Sequence, residues 1–179
     1  MGKIVEYTLV SLDNVFEDAP RLGFMEYRDE AYMRDGLGLL MASDAMLMGR
    51  VSYESSARTW PGRAHPWASR LNAMKKYVFS SSLTSADWNN STLVKGDAIA
   101  EIKKLKETEG QNLLIWGHTR LAEALLKERL IDVIDISIHP LVVGHGKQFF
   151  REGQAVKLKL TATKCFSKIV KLTYEPQYS

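Results

Sequence analysis

The 179-residue chain has one cysteine, Cys165, and only four histidines. A lone cysteine excludes an internal disulfide framework, and no Cys/His cluster has the spacing of a zinc finger. Such usage predicts a reducing, cytoplasmic setting. No apolar run approaches the roughly 20 residues that span a bilayer, and the opening MGKIVEYTLV has too short an apolar stretch for a signal peptide. There is no internal repeat, no low-complexity tract and no Pro/Gly/Ser-rich linker, so residues 1–179 read as one domain. Charge of one sign is also scarce. Lys and Arg exceed Asp and Glu by three, 24 against 21, and are scattered rather than blocked. That balance suits an anionic small molecule as well as nucleic acid; the expected partner is a small molecule, with neither nucleic acid nor membrane. Finally, no G-x-G-x-x-G is present, which excludes an ordinary Rossmann fingerprint.

Hydrophobic residues make up 45% of the chain, enough for a sizeable core. Lys3 to Val10 reads as a first strand, and Ser11 to Gly23 as a polar loop marked by Asp13, Asn14, Asp18 and Pro20. Tyr27 to Ala42 has helical character, although Gly36 and Gly38 each cost a helix about 1 kcal/mol relative to alanine. Ala45 to Met48 is a short apolar strand followed by a helical turn from Ser52. His65 to Lys75 reads as helix, Lys76 to Ser80 as extended chain, and Ala98 to Glu109 as a helix with Ile99, Ile102 and Leu105 on one face. Asn112 to Trp116 is a strand. Thr119 to Arg129 is a helix that gathers Leu121, Ala122, Leu125 and Leu126 on one side. Val133 to His139 is apolar enough to be central in a sheet. After the loop from Leu141 to Gly153, Val156, Leu158, Leu160 and Ala162 alternate with polar residues as a half-buried strand, and Lys168 to Tyr174 is its antiparallel partner. Strand and helix thus alternate before a terminal hairpin. The expected fold is α/β: three αβα layers around a mixed, mostly parallel sheet with a C-terminal antiparallel hairpin.

In open α/β sheets, ligands sit beyond the carboxyl ends of the strands, where helix N-termini present unpaired amides. Three motifs fall at such ends. In Met48-Gly49-Arg50-Val51-Ser52-Tyr53-Glu54, Gly49 lets a phosphate approach the backbone, Arg50 offers a planar fork and Ser52 can cap a helix and donate its hydroxyl. Ser80, Ser81 and Ser82 follow Phe79 and can bond a ribose phosphate. In Ile115-Trp116-Gly117-His118-Thr119, Gly117 removes a Cβ between strand and helix, so that a pyrophosphate can lie against the helix N-terminus. Each motif also has a plain structural reading, as a turn, a strand end or a cap.

In their order, these residues bring a family into view. The chain resembles, over nearly everything from Lys3 to Tyr174, the reductase domain of riboflavin biosynthesis proteins and its small stand-alone relatives with a dihydrofolate reductase-like fold. The resemblance rests on Ser11-Leu12-Asp13, on the stretch from Leu47 to Glu54, on Tyr77 to Ser81, on Leu114 to His118, and on Ile136 to Lys147. It implies binding of NADPH along the strand ends and hydride transfer to a planar nitrogen heterocycle, with ribosylaminopyrimidine reduction as the nearest family activity. On matching positions, Gly49, Arg50 and Ser52 would hold the adenosine phosphates, Ser80 and Ser81 the adenine ribose side, and Gly117, His118 and Thr119 the pyrophosphate. Arg50 and the serines, with no acidic residue evident for a free ribose diol, favour NADPH over NADH. Where the family commonly has glycine after Ser-Leu-Asp, this chain has Asn14, which tolerates positive φ.

Substrate recognition is carried by fewer candidates. Asp13 and Asn14 lie in the loop facing the expected nicotinamide end, where Asp13 can accept from an aminopyrimidine or anchor a turn. Trp60 can stack on a flat ring or form a wall. No catalytic side chain is assigned, because hydride transfer needs little beyond orientation and exclusion of water. No carboxylate aligns with that of true dihydrofolate reductases on the first helix; Asp29, Glu30 and Asp35 are candidates by vicinity. His139 and His145 lack a third ligand, so no metal is assigned, and Cys165 reads as a small packed side chain. The resemblance also implies a homodimer, paired through the late strands and the loop from Pro140 to Phe150, with which apolar Phe149 and Phe150 are consistent. Two other readings stay open: dihydrofolate reduction, and a non-catalytic NADP(H)-binding module.

Overall fold

A computed structural model describes residues 2–17, 19, 21–108, 112–150, 153 and 155–178. Eight strands form one sheet: β1 (Ile4–Ser11), β2 (Ala45–Gly49), β3 (Lys75–Phe79), β4 (Ser91–Val94), β5 (Leu113–Trp116), β6 (Val133–His139), β7 (Lys157–Cys165) and β8 (Val170–Gln177). Their order across the sheet is β4-β3-β2-β5-β1-β6-β8-β7. The first six in that order pair in parallel, whereas β8 runs antiparallel to β6 and to β7. This is the mixed sheet with a terminal hairpin that the sequence predicts.

Because side chains alternate along a strand, each central strand feeds two cores. Ile4 and Val10 of β1, Ala45 and Leu47 of β2, and Leu113 and Ile115 of β5 point to one face. There they meet Ile102 of α4 (Ala98–Thr108) and Ala122 and Leu125 of α5 (Arg120–Lys127). Tyr7, Met46, Met48 and Leu114 point to the other face. That core is closed by Leu40 of α1 (Glu30–Ala42), Tyr53 of α2 (Arg50–Thr59) and Leu71 of α3 (Pro66–Ala73). Helices therefore cover both faces of the parallel part, as its unbroken apolar runs require.

Several boundaries differ from expectation. The first helix starts at Glu30, not Tyr27, because Asp29 caps it: its carboxylate accepts from the Tyr32 amide at 2.7 Å, and a 3-10 turn, Phe24–Tyr27, precedes it. Ser52 does not open α2. Gly49 is the N-cap and Ser52 sits within the first turn. Thr119 caps α5 by accepting from the Ala122 amide, and Pro66 opens α3, where its missing N–H costs nothing. Strand β4 carries only four residues of an edge and gave no periodic signal. Asp18, Pro20 and Glu109 lie outside the described residues. The strand expected to be half-buried, β7, is almost wholly exposed, with Leu160 52% accessible, because it is the outermost strand of the sheet; its pairing with β8 shifts register between Leu160 and Ala162.

The two helix glycines separate in role. A Cβ built on Gly36 would lie 2.8 Å from the Trp67 ring, whereas one on Gly38 meets nothing within 4 Å. Gly36 thus lets α3 close on α1 through Trp67. Urea denaturation should show Gly36→Ala destabilised by about 1–3 kcal/mol through overpacking, while Gly38→Ala gains up to about 1 kcal/mol from helix propensity. Equal effects at the two positions would refute the close-approach account.

Candidate active site

The parallel register brings the three predicted motifs to one edge. Gly49 at the end of β2 pairs with Phe79 of β3, and Phe79 with Val94 of β4. The residues that follow, Arg50, Ser80 and Lys95, therefore leave the sheet at the same edge of three neighbouring strands. On the other side, β5 joins β2 in parallel at Ala45–Leu113 and Met46–Leu114, where their pairing ends, and Gly117 lies just beyond the carboxyl end of β5. Two helices begin at this edge, α2 after Gly49 and α5 after Thr119, so their unpaired amides and positive dipole ends face the same space. Nothing lies within 4 Å of a Cβ placed on Gly49 or Gly117, and Gly117 has φ +85°, a conformation costly for any other residue.

The individual side chains are partly committed. The Arg50 guanidinium lies along α2 on Glu54, at 3.1 Å, in an exposed pair that is easily released. Ser80 Oγ accepts from the amides of Ser82 and Leu83, at 3.2 and 3.1 Å, and so shapes the serine loop. Ser81 is exposed. Its carbonyl accepts from Lys95 Nζ at 3.3 Å, and Lys95 also donates to the Leu83 carbonyl. Lys95 was missed in the sequence because the strand that aligns it, β4, was missed. His118 corrects the reading of its motif: its side chain is 1% exposed, turned to the α4/α5 face, with Nδ1 2.6 Å from Glu6 Oε1. The imidazole cannot reach a ligand on the rim, which leaves the backbone of residues 117–119 to do so.

Beside this edge a cavity of about 140 Å³ opens between α2, α3 and the sheet. Trp60, Trp67 and Trp116 form its walls, and Ser52, Ser55 and Ser56 put three hydroxyls on one stripe of α2. Small side chains where a buried helix face would carry leucines are what leave the space. Trp116 packs against Tyr7, ring centroids 4.6 Å apart. The Tyr7 hydroxyl is 2.5 Å from that of Tyr32 on α1 and accepts from Ser137 at 3.2 Å. Burial raises both phenols above their ordinary range, so they remain protonated donors.

The three carboxylates considered on or before the first helix are all engaged elsewhere. Asp29 caps α1 and also accepts from Ser167; Glu30 is exposed beside Arg34; Asp35 is bonded to Lys164 and Lys171. Lys171 is shared with Asp135 at 2.8 Å. What α1 turns toward Tyr7 is the Tyr32 hydroxyl.

Asp13 and Asn14 also prove to be bound within the fold. Asp13 accepts from the Ser11 hydroxyl at 2.5 Å and from the amides of Val143 and Gly144, at 3.1 and 2.7 Å, tying the β1 loop to the loop after β6. These donors, Ser11 first, hold its carboxyl down at about 2. Asn14 has φ 68° and donates to the Phe150 carbonyl at 3.0 Å. Of the two phenylalanines expected at an interface, Phe149 is buried against His118 and is not available; Phe150 lines a surface groove. His139 is fully buried, its Nδ1 3.1 Å from the Ser137 carbonyl, and burial pushes it down to about 4. Among the described residues no group of three or more His, Cys, Asp or Glu side chains is arranged to hold a metal ion. Cys165 is exposed rather than packed, since it ends the uncovered β7. No helix among the described residues is long and apolar enough to cross a membrane.

Residues 3–172 match the RibD C-terminal domain family. The uncharacterized protein YwjB of Bacillus subtilis is 31% identical over 176 residues, which cover 96% of this chain and 97% of YwjB. Among solved structures, a putative riboflavin biosynthesis protein of Shewanella sp. PV-4 has a TM-score of 0.78 at 19% identity, covering 98% of this chain and 99% of its own. A pyrimidine reductase-like protein of Corynebacterium diphtheriae has a TM-score of 0.72 at 10% identity, covering 99% and 93%. At these identities the two structures speak for the fold.

The clamp at Asp13 has a pH signature. A carboxyl held at about 2 instead of 3.8 contributes stability that is complete above its ordinary value and is lost as pH falls through about 2. Asp13→Asn should therefore lower the urea midpoint at pH 7, and the gap to wild type should close as the pH falls toward 2. A gap of constant size across that range would show that the carboxylate's charge contributes nothing.

Proposed function

The chain belongs to the RibD C-terminal domain family, and on that footing we propose that it binds NADPH along the carboxyl edge of the sheet and reduces a planar nitrogen heterocycle. One observation supports this above the others: Lys95, Ser80, Arg50 and Gly117 each follow the carboxyl end of one of four neighbouring parallel strands, and two helices begin at that edge. The fit is one of chemistry and of space, since cations, hydroxyls and amides face a rim that glycines keep clear. Gly49, Arg50 and Ser52 take the adenosine phosphates, Ser80 and Ser81 the adenine ribose side, and Gly117, Thr119 and the backbone of His118 the pyrophosphate. Lys95, anchored over the serine loop, supplies the second cation that favours a 2′-phosphate over a free diol.

NADPH supplies a hydride when bound. The chain's own part is to receive a flat ring between tryptophans, Trp60 among them, to exclude water from it and to orient it through the serine stripe of α2. The nearest family activity is the reduction of a phosphoribosylaminouracil in riboflavin biosynthesis. Dihydrofolate reduction is the weaker alternative, because no carboxylate of α1 is free to meet a pteridine. A module that binds NADP(H) without turnover is the other. The reducing cytosol remains the proposed compartment, on the strength of the lone cysteine.

A homodimer belongs to the same proposal. The face of the sheet beyond α5 holds an apolar groove of about 260 Å³ lined by Val10, Leu12, Ile138, Phe150, Leu158 and Leu172, and Leu12 is 69% exposed. Sedimentation at micromolar concentration should give the mass of two protomers; the mass of one would refute it. For the cofactor, calorimetry should detect NADPH binding, and loss of NADPH absorbance with pyrimidine, pterin and flavin substrates should reveal turnover. Lys95→Gln should cut kcat/KM for NADPH about tenfold relative to that for NADH. Absence of NADPH affinity would end the reading, and binding without oxidation of any substrate would favour the non-catalytic module.

A further inference from the structure

Glu6 lies on the central strand β1, between Ile4 and Val10 on its α4/α5 face, and its side chain is fully buried. A carboxylate in that position is poor material for a core. Taking such a polar pair out of water costs about as much as its contact returns, and apolar side chains of the same volume often serve as well or better. Its one hydrogen bond among the described residues is to His118, and its second oxygen has no partner. The geometry points to a positioning role: Glu6, through His118, sets the turn at residues 117–119 that the proposed function assigns to the cofactor's pyrophosphate. This inference rests on that reading of the turn.

Two successive residues of β1 hold two successive residues of the turn. The Tyr7 carbonyl accepts from the Gly117 amide at 2.7 Å, and Glu6 Oε1 meets His118 Nδ1 at 2.6 Å. Gly117, at φ +85°, has the freedom to leave the strand along several paths, so a backbone bond on one side of it does not fix where the next peptide points. The His118 ring supplies the second fixed point. Phe16 and Phe149 pack against it, at centroid distances of 5.0 and 4.5 Å, while its Nε2, 3.5 Å from Glu123 Oε1, has no hydrogen-bond partner among the described residues. Thr119, the next residue, caps α5. The orientation of the peptides at 117–119, and of the α5 N-terminus with them, is thereby tied to a side chain that never reaches the rim.

The test separates this role from ordinary stability. Glu6→Gln keeps the shape and exchanges the carboxyl for an amide; a double variant, Glu6→Leu with His118→Leu, replaces the pair with apolar side chains and leaves neither partner buried alone. Both are compared with wild type by thermal unfolding and by calorimetric titration with NADPH and with 2′-AMP, which carries the adenosine end without the pyrophosphate. The expected result is about tenfold weaker NADPH binding in each variant, the scale of one lost hydrogen bond. Affinity for 2′-AMP should stay within about twofold of wild type, and the double variant should melt no lower than Glu6→Gln. Unchanged NADPH affinity in both variants would overturn the role of Glu6, as would a parallel loss of both ligands, which reports general loosening. Wild-type protein that binds 2′-AMP and NADPH equally would also overturn it, because the turn then contributes nothing. Failure of wild type to bind either ligand would strike the cofactor reading itself.

Discussion

Parallel pairing in one register is the constraint on which everything else in this molecule depends. β2, β3 and β4 are paired residue by residue to their ends, and β5 joins β2 at Ala45 and Met46, so loops distant in the chain open at one edge of the sheet. A slip of one residue in any pair would do two kinds of harm. It would move one loop out of place, and it would turn that strand's core residues to the opposite face. The apolar patterning of Met46 and Met48 against Ala45 and Leu47 therefore protects the site as much as the core.

Polar groups buried on the two faces carry a second layer of organisation. On the α1 side, Tyr7, Tyr32 and Ser137 share hydroxyl bonds behind Trp116, and Lys171 is held between Asp35 and Asp135. At the other end of that face, Lys76 is buried with its ammonium on the carbonyls of Met74 and Asn89, at 2.8 Å each, and its ring neighbour is Trp88. Removal from water brings that lysine down to about 8. Such groups give each element a specific partner where apolar contact alone would allow sliding.

Much of the fold was legible because its signals are local and periodic. The runs around Ile4, Leu47, Leu114 and Ile136 announce buried strands, and Leu121, Ala122 and Leu125 announce α5. The glycines and hydroxyls of the rim were legible for the same reason, since each closes such a run. What escaped was whatever depends on a distant neighbour. Ser91–Val94 is too short to declare itself, and Lys95 was lost with it. Glu6 sits in a run that reads as core, and nothing local shows that His118 turns back to meet it across 112 residues. Asp13 has the same ambiguity: the loop around Val143 and Gly144 that satisfies it is 130 residues away. The alternation of β7 was read correctly as pattern and wrongly as burial, because alternation tells which side chains share a face and not whether that face is covered.

That outermost strand has a consequence for behaviour in concentrated solution. An uncovered edge is a template on which further chains can add by backbone pairing, the first step toward fibrils. Here the edge is spoiled for the purpose: Lys157 and Lys159 put like charge on it, and the irregular pairing at Leu160 and Ala162 interrupts its regular ladder. Open-ended growth along this side of the sheet is thereby discouraged.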